Sequence, residues 1–225
     1  MVIRNSGVKN GKLEKGPAAG LAATVPVAQL RDRLVEVKRE EIMRVAGELF
    51  FAKGFTQTSM EEIATRLSIG KPQIYACFPS KTALLAEICN WVTMLAANVA
   101  AEATNSQGTP RERVVYVVRE LSRRVIEGRM NLAVLFRETK HLPPEGVREL
   151  ARNFHLFNHS FESLLREGIA SGEFRIESPA VATHAISGMT TWMYSWFDEH
   201  GALSVDEVVE EMVRLTLMMV DARPN

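Results

Sequence analysis

The sequence predicts an all-α protein of about nine helices, and three observations carry that expectation. Apolar residues recur at three- and four-residue steps along most of the chain. No period-two alternation runs long enough to build a sheet, and Gly and Pro punctuate the sequence at spacings suited to helix ends. No repeat unit and no sustained heptad competes with this reading.

Residues 1–33, rich in Gly, Ala, Lys and Asn and carrying Pro17 and Pro26, read as a disordered basic arm whose Arg4, Lys9, Lys12 and Lys15 are solvated. From Val35, the residues Ile42, Val45, Ala46, Leu49 and Phe50 mark a first helix that stops at Lys53, with Gly54 as its C-cap. Thr58-Ser59-Met60-Glu61 reads as a capping box in which the Thr58 hydroxyl accepts from the Glu61 amide. A short helix through Leu67 follows, with Met60, Ile63, Ala64 and Leu67 as one stripe. Ser68-Ile69-Gly70 makes a tight turn, and Pro72 suits the first turn of a third helix ending near Phe78. That helix is too short to stand alone and must pack Ile74 and Phe78 on the two before it. Ser80 caps a long helix from Lys81 to about Thr104, and further helices are expected over 111–127, 131–142, 147–171, 179–200 and 205–221. Gly128, Pro143-Pro144, Gly172 and Gly201 mark the breaks between them.

The 225 residues, 46% of them hydrophobic, suffice for a real core. Net charge is zero but uneven: residues 1–82 hold 13 basic and 8 acidic side chains, the remainder 14 and 19, so the N-terminal third is the polyanion-facing part. Two cysteines, Cys77 and Cys89, give no disulfide framework and read as small packing residues. The start of the chain lacks a secretory pattern, and the weakly charged run 180–197 is too polar for hydrocarbon, so the expectation is a cytoplasmic protein with no membrane partner. No glycine loop for nucleotides, nucleophile elbow or metal-hydrolase helix motif is present, so neither an enzyme nor a cofactor is expected. His155, His159 and Glu162 share one helix face, but lack a fourth ligand and read as ordinary packing or surface groups rather than a metal site.

Two short helices joined by a tight turn, the second opened by Lys71, are what a helix-turn-helix requires to lay one helix in the major groove. The residues Gly54-Phe55, Thr58-Ser59-Met60, Ile63-Ala64, Ile69, Lys71, Ile74-Tyr75, Phe78-Pro79-Ser80-Lys81 and Leu84-Leu85 then resemble the DNA-binding signature of the TetR family across about residues 38–85. The chain departs from it with Ser68, Gly70 and Pro72 where the family commonly has Gly, Ser and Gly, and with Ala76 and Cys77 where an aromatic and His often stand. The resemblance implies a helix-turn-helix domain over 34–82 and an effector-binding and dimerisation domain over 83–225. It implies that Tyr75 lays its hydroxyl on a phosphate, and that Thr58 and Lys81 clamp the backbone from two helix N-termini, where free amides favour anions. Arg39 is a further phosphate candidate. Base reading falls to Lys71, Pro72 and Gln73, at the exposed start of the recognition helix.

In the C-terminal half, Gly172-Glu173-Phe174-Arg175, Ile186, Gly188-Met189, Trp192, Trp196-Phe197 and Leu203-Ser204 resemble the branch that controls fatty-acid, steroid and CoA-thioester catabolism. The segment 179–200 is apolar around most of its circumference and needs cover on two sides, which fits one half of a homodimer four-helix interface built with the last helix. Gly188, Met212, Leu215 and Met219 are its expected contacts. Trp91, Met94, Phe136, Phe154, Phe157, Phe161, Trp192 and Met193 are candidate walls of an effector pocket, with Arg123, His155 and Asn158 as polar anchors. The expected function is a repressor that binds a palindromic double-stranded DNA operator as a dimer and is released by a small hydrophobic effector, an acyl-CoA being one candidate. The alternative is a constitutive or partner-gated DNA-binding protein with no small ligand.

Overall fold

The structure, a computed structural model, describes residues 27–220, and the described residues form helices joined by turns, with no strand among them. Ten α-helices run in order: α1 (Val27–Lys53), α2 (Met60–Arg66), α3 (Lys71–Cys77), α4 (Lys81–Asn105), α5 (Pro110–Glu127), α6 (Arg129–Glu138), α7 (Pro144–Ala170), α8 (Pro179–Thr191), α9 (Met193–Trp196) and α10 (Val205–Met219). A single 3-10 turn, Thr139–His141, extends α6. The first helix begins earlier than its apolar pattern shows, so residues 27–33 are helical rather than part of an arm. Residues 1–26, with the four basic positions expected to be solvated, lie outside the described residues.

Ile42, Val45, Ala46, Leu49 and Phe50 of α1 pack with Ile63 of α2, Ile74 of α3 and Phe78 to form the core of the first three helices. Full burial contributes about 1.5–3 kcal/mol for each large side chain, which is how seven-residue α3 persists. Gly54 ends α1 at φ +88° and its amide donates to the Phe50 carbonyl at 2.9 Å, as its C-cap role requires. The cap of α2 is Ser59, not Thr58: its Oγ accepts the Glu62 amide at 3.1 Å. Thr58 instead turns inward and donates to the Gly54 carbonyl at 3.0 Å.

In the turn between α2 and α3, Ser68 holds φ +54°. Its amide donates to Thr65 and that of Ile69 to Ala64, both at 3.0 Å, so the left-handed residue is what closes α2 and launches α3. A non-glycine residue there costs on the order of 1 kcal/mol. Ser68→Gly is therefore expected to raise stability by up to about that amount, read as a higher urea midpoint with an unchanged m value.

Beyond Pro79 the helices build a bundle whose centre is the long packing of α4 on α7, with α5 and α8 beside them and α10 laid on α5. Capping boxes fix α5 (Thr109 with Glu112) and α10 (Ser204 with Glu207). By length and composition α4 resembles a membrane span, yet Leu84, Leu85, Ile88, Val99 and Ala100 are buried inside this bundle. The segment 179–200 is not one helix. It breaks at Trp192 into α8 and the single turn α9, and the chain leaves helical geometry at Phe197, which lets Met193 and Phe197 turn into the core. One hydrophobic cluster runs unbroken from α1 to α10, so α1 shares its core with the bundle through α4 and α6.

Candidate nucleic-acid interface and effector cavity

Lys71, Pro72, Gln73 and Tyr75 all stand exposed on one side of α3, while Ile74 anchors its other side at zero exposure. The Lys71 ammonium pairs with Glu61 Oε1 at 2.6 Å and lies 5.9 Å from the Tyr75 ring centre, which directs it across the outer face of the motif. That pairing holds the Glu61 carboxyl below its ordinary pKa range and raises that of Lys71. These four residues form the exposed face that a groove would meet.

The other three expected DNA contacts are spent inside the fold. Thr58 is 2% exposed, with its hydroxyl committed to Gly54, so its side chain offers nothing to a phosphate. Lys81 points back at the loop between α1 and α2: its Nζ donates to the carbonyls of Phe55 (2.7 Å) and Thr58 (2.6 Å) and lies 4.3 Å over the Phe55 ring. Burial lowers its pKa, against the attraction of Glu138. Arg39 donates to the Cys77 carbonyl at 2.6 Å, stacks 4.4 Å over Phe78 and pairs with Glu87 at 3.5 Å, tying α1 to the end of α3 and to α4. A basic side chain at a helix start has two uses, anchoring loop carbonyls or meeting phosphates, and here the carbonyls lie within reach.

Phe55 is also held from the bundle side. Its amide donates to Glu138 Oε1 at 3.2 Å, the His141 ring stacks on it at 4.8 Å, and Arg137 lies 5.3 Å over Phe51. At the other end of α6, Asn131 sits so close to α1 that a Cβ on Gly47 would lie 2.2 Å from its Oδ1. Helix α6 therefore touches α1 at one end and the loop between α1 and α2 at the other.

Helix α6 also lines a half-open cavity of about 590 Å³ bounded by α4, α5, α6, α7 and α8. Of the expected pocket residues, Trp91, Phe136, Phe154, Phe157 and Asn158 line it, while Phe161 and Met193 are buried in the core without lining it. Met94, Arg123, His155 and Trp192 do not line it either. Met94 is exposed on another side of α4, Arg123 is held at 2.7 Å by Asp206 of α10, His155 stacks on His159 on the outer face of α7, and Trp192 is 60% exposed against Tyr194. The wall also contains residues that the apolar pattern did not single out: Thr93, Arg124, Asn131, His184 and Ser187. Thr93 is fixed by the buried Asn153, which donates to its Oγ1 and to Asn90 Oδ1, each at 2.9 Å, bridging α4 and α7.

Among the expected interface residues, Met212 is buried in the protein's own core. Met219 is exposed, Leu215 half-buried, and Gly188 exposed on α8, where a Cβ would meet nothing within 4 Å. Gly188 also lines the cavity. Cys89 is fully buried and burial pushes its thiol up to about 12, while Cys77 is half-buried at the end of α3.

Two family models match this chain: "Bacterial regulatory proteins, tetR family" over residues 42–88 and "Tetracyclin repressor-like, C-terminal domain" over residues 107–220. The chain belongs to the TetR family. A TetR/AcrR-family transcriptional regulator from Thermobifida fusca is 36% identical and superposes with a TM-score of 0.66, covering 80% of this chain and 96% of that one. The HTH-type transcriptional repressor KstR2 of Mycolicibacterium smegmatis is 24% identical over 188 residues, 80% of this chain and 89% of that protein. AibR, solved in complex with isovaleryl coenzyme A and operator DNA, has the same fold at 23% identity and a TM-score of 0.70, covering 82% of this chain and 99% of that one. Shorter matches span 21% and 65% of two further regulators. As a TetR-family protein the chain is a helix-turn-helix DNA-binding transcription regulator, and its α2 and α3 are the motif that the family model covers.

Proposed function

We propose that this regulator binds a near-palindromic operator as a homodimer and that a small hydrophobic effector in the C-terminal cavity lowers its DNA affinity, making it a ligand-released repressor of the cytoplasm. It acts by binding rather than catalysis, with residues 34–82 meeting DNA and the remainder holding effector and partner. The observation that carries the reading is α6: Asn131, Leu132, Leu135 and Phe136 line the cavity, while Asn131 and Glu138 of the same helix hold α1 and the Phe55 loop. A ligand that shifts α6 therefore shifts the support of the DNA-reading helices, and a difference of about 1–3 kcal/mol in its affinity for the two arrangements suffices. AibR, solved with isovaleryl coenzyme A and operator DNA together, supports a ligand site and an operator site in one chain of this fold.

At the DNA, Lys71, Pro72 and Gln73 read bases and Tyr75 contacts a phosphate. Lys suits guanine O6 and N7, Gln suits adenine, and Pro can meet a thymine methyl. Gln73→Ala should cost about 1–3 kcal/mol at one base pair per half-site and relax preference there. Tyr75→Phe should weaken binding to all sequences alike, by about 1 kcal/mol per half-site. Footprinting followed by competition with single-base operator variants separates these outcomes. Uniform loss from Gln73→Ala, or no protected site at all, overturns the assignment.

For the dimer, the exposed apolar line of α8 (Val181 at 66% exposure, Ala185, Gly188, Trp192) beside Leu215, Met218 and Met219 of α10 is the face a second copy would cover. Because Gly188 belongs to both this face and the cavity, Val181→Arg is the cleaner test. It should yield a monomer by light scattering and lose operator binding, whereas a monomer mass for the unmodified protein at micromolar concentration removes the proposal.

A further inference from the structure

We infer that the cavity takes an amphiphile ending in a single carboxylate, with that carboxylate held by Arg124 and the apolar body lying on Trp91, Phe136, Phe154 and Phe157. This rests on the cavity being the effector site. Three arginines of α5, Arg119, Arg123 and Arg124, differ in how they are used. Arg119 makes a two-pronged pair with Glu210 (2.7 and 2.9 Å) and Arg123 is held by Asp206 at 2.7 Å, both fastening α10. Arg124, on the side of α5 that faces the cavity, has only a 3.3 Å contact between Nη2 and Glu120, one turn back, longer than a charge-assisted hydrogen bond. Its Nε is buried and makes no hydrogen bond. The side chain is 36% exposed in all, and a planar guanidinium is shaped to pair with two oxygens of one group.

The rest of the wall agrees with one small acidic head. Among the described residues, Arg124 is the only Lys or Arg lining the cavity. Asn131, His184 and Ser187 supply neutral or titratable polar groups in the same wall, and the acidic member, Glu127, is exposed, where solvent screens it. A head bearing several phosphates finds no second cation in this wall, so a coenzyme A thioester would leave its charges outside. A neutral lipid or steroid would leave the Arg124 fork unmatched.

The test compares hexanoate, decanoate and hexadecanoate with their methyl esters and coenzyme A thioesters on the unmodified protein. Binding is followed by titration calorimetry and by tryptophan fluorescence, and release by operator mobility shift. The expected result is that at least one free acid binds and releases operator about tenfold more tightly than its methyl ester, and that Arg124→Gln removes this preference while leaving ester affinity in place. Arg123→Gln, whose side chain is outside the cavity, should leave the preference intact. Arg124→Lys, which keeps the charge but loses the fork, should fall between the unmodified protein and Arg124→Gln. Should ester and acid bind alike, or thioesters alone bind, the carboxylate assignment is overturned while the effector reading stands. If nothing in the series binds or alters operator affinity, the effector reading falls and this inference with it. The acid-to-ester ratio is measured on unmodified protein, so a variant that folds poorly does not blunt the result.

Discussion

Lys81→Ala is expected to lower the stability of the N-terminal helices by about 2–4 kcal/mol and operator affinity by tenfold or more, through the loop rather than through a lost phosphate contact. The side chain donates to two carbonyls of the loop between α1 and α2 and covers the Phe55 ring. Removing it leaves those carbonyls without their charged partner and frees the segment that presents Ser59, the cap of α2. The two roles are separable by experiment. A residue that only meets phosphate leaves the thermal midpoint alone and flattens the salt dependence of binding, whereas a loop anchor lowers the midpoint without DNA present. An unchanged melting curve for Lys81→Ala, together with a reduced salt slope, would restore the phosphate role.

Gly168→Ala should be the most damaging single methyl group in the bundle. The added Cβ would stand 2.0 and 2.2 Å from the Cδ2 and Cε2 atoms of Phe174, inside van der Waals contact. The ring has nowhere to retreat, because Phe174 is 2% exposed and its amide and that of Glu173 both donate to the Gly168 carbonyl, at 3.0 and 2.9 Å. Overpacking of this kind costs about 3 kcal/mol, which for a chain this size lowers the midpoint by roughly 6–12 °C. Calorimetry checks it, and Phe174→Leu in the same chain should recover part of the loss.

Much of this was legible in the sequence, for reasons that also show where legibility stopped. The first four helices could be read because their ends are local: Gly54, Pro72 and Ser80 act through their own backbone and immediate neighbours. Ser59 was missed because Thr58 and Ser59 each precede a glutamate by three residues, so the capping pattern fits twice. The tie is broken by Met60, which must begin the helix to reach the core, and by the Gly54 carbonyl that claims Thr58. Arg39 and Lys81 were assigned to phosphate because charge is visible in sequence while the loop carbonyls that hold them are placed by tertiary contacts. Arg124 had a signal that the choice of Arg123 passed over. It lies three residues after Leu121 and four before Gly128, on the stripe that lines the cavity, whereas Arg123 is rotated by about 100° from it. Exposed aromatics are harder still, since Trp91 and Trp192 each stand among apolar and small polar residues and the break at Trp192 is what separates their surroundings.

The hold on Phe55 bears on how such regulators can be recombined. The reading head is completed by the bundle, since the Phe55 amide finds its acceptor in Glu138 and its ring finds its stacking partner in His141. A chimera that joins residues 34–82 to another regulator's sensing half therefore carries an unfinished loop unless the graft brings along a carboxylate and a ring at those two positions. The portable unit for engineering a new sensor is the head together with α6 and the turn through His141.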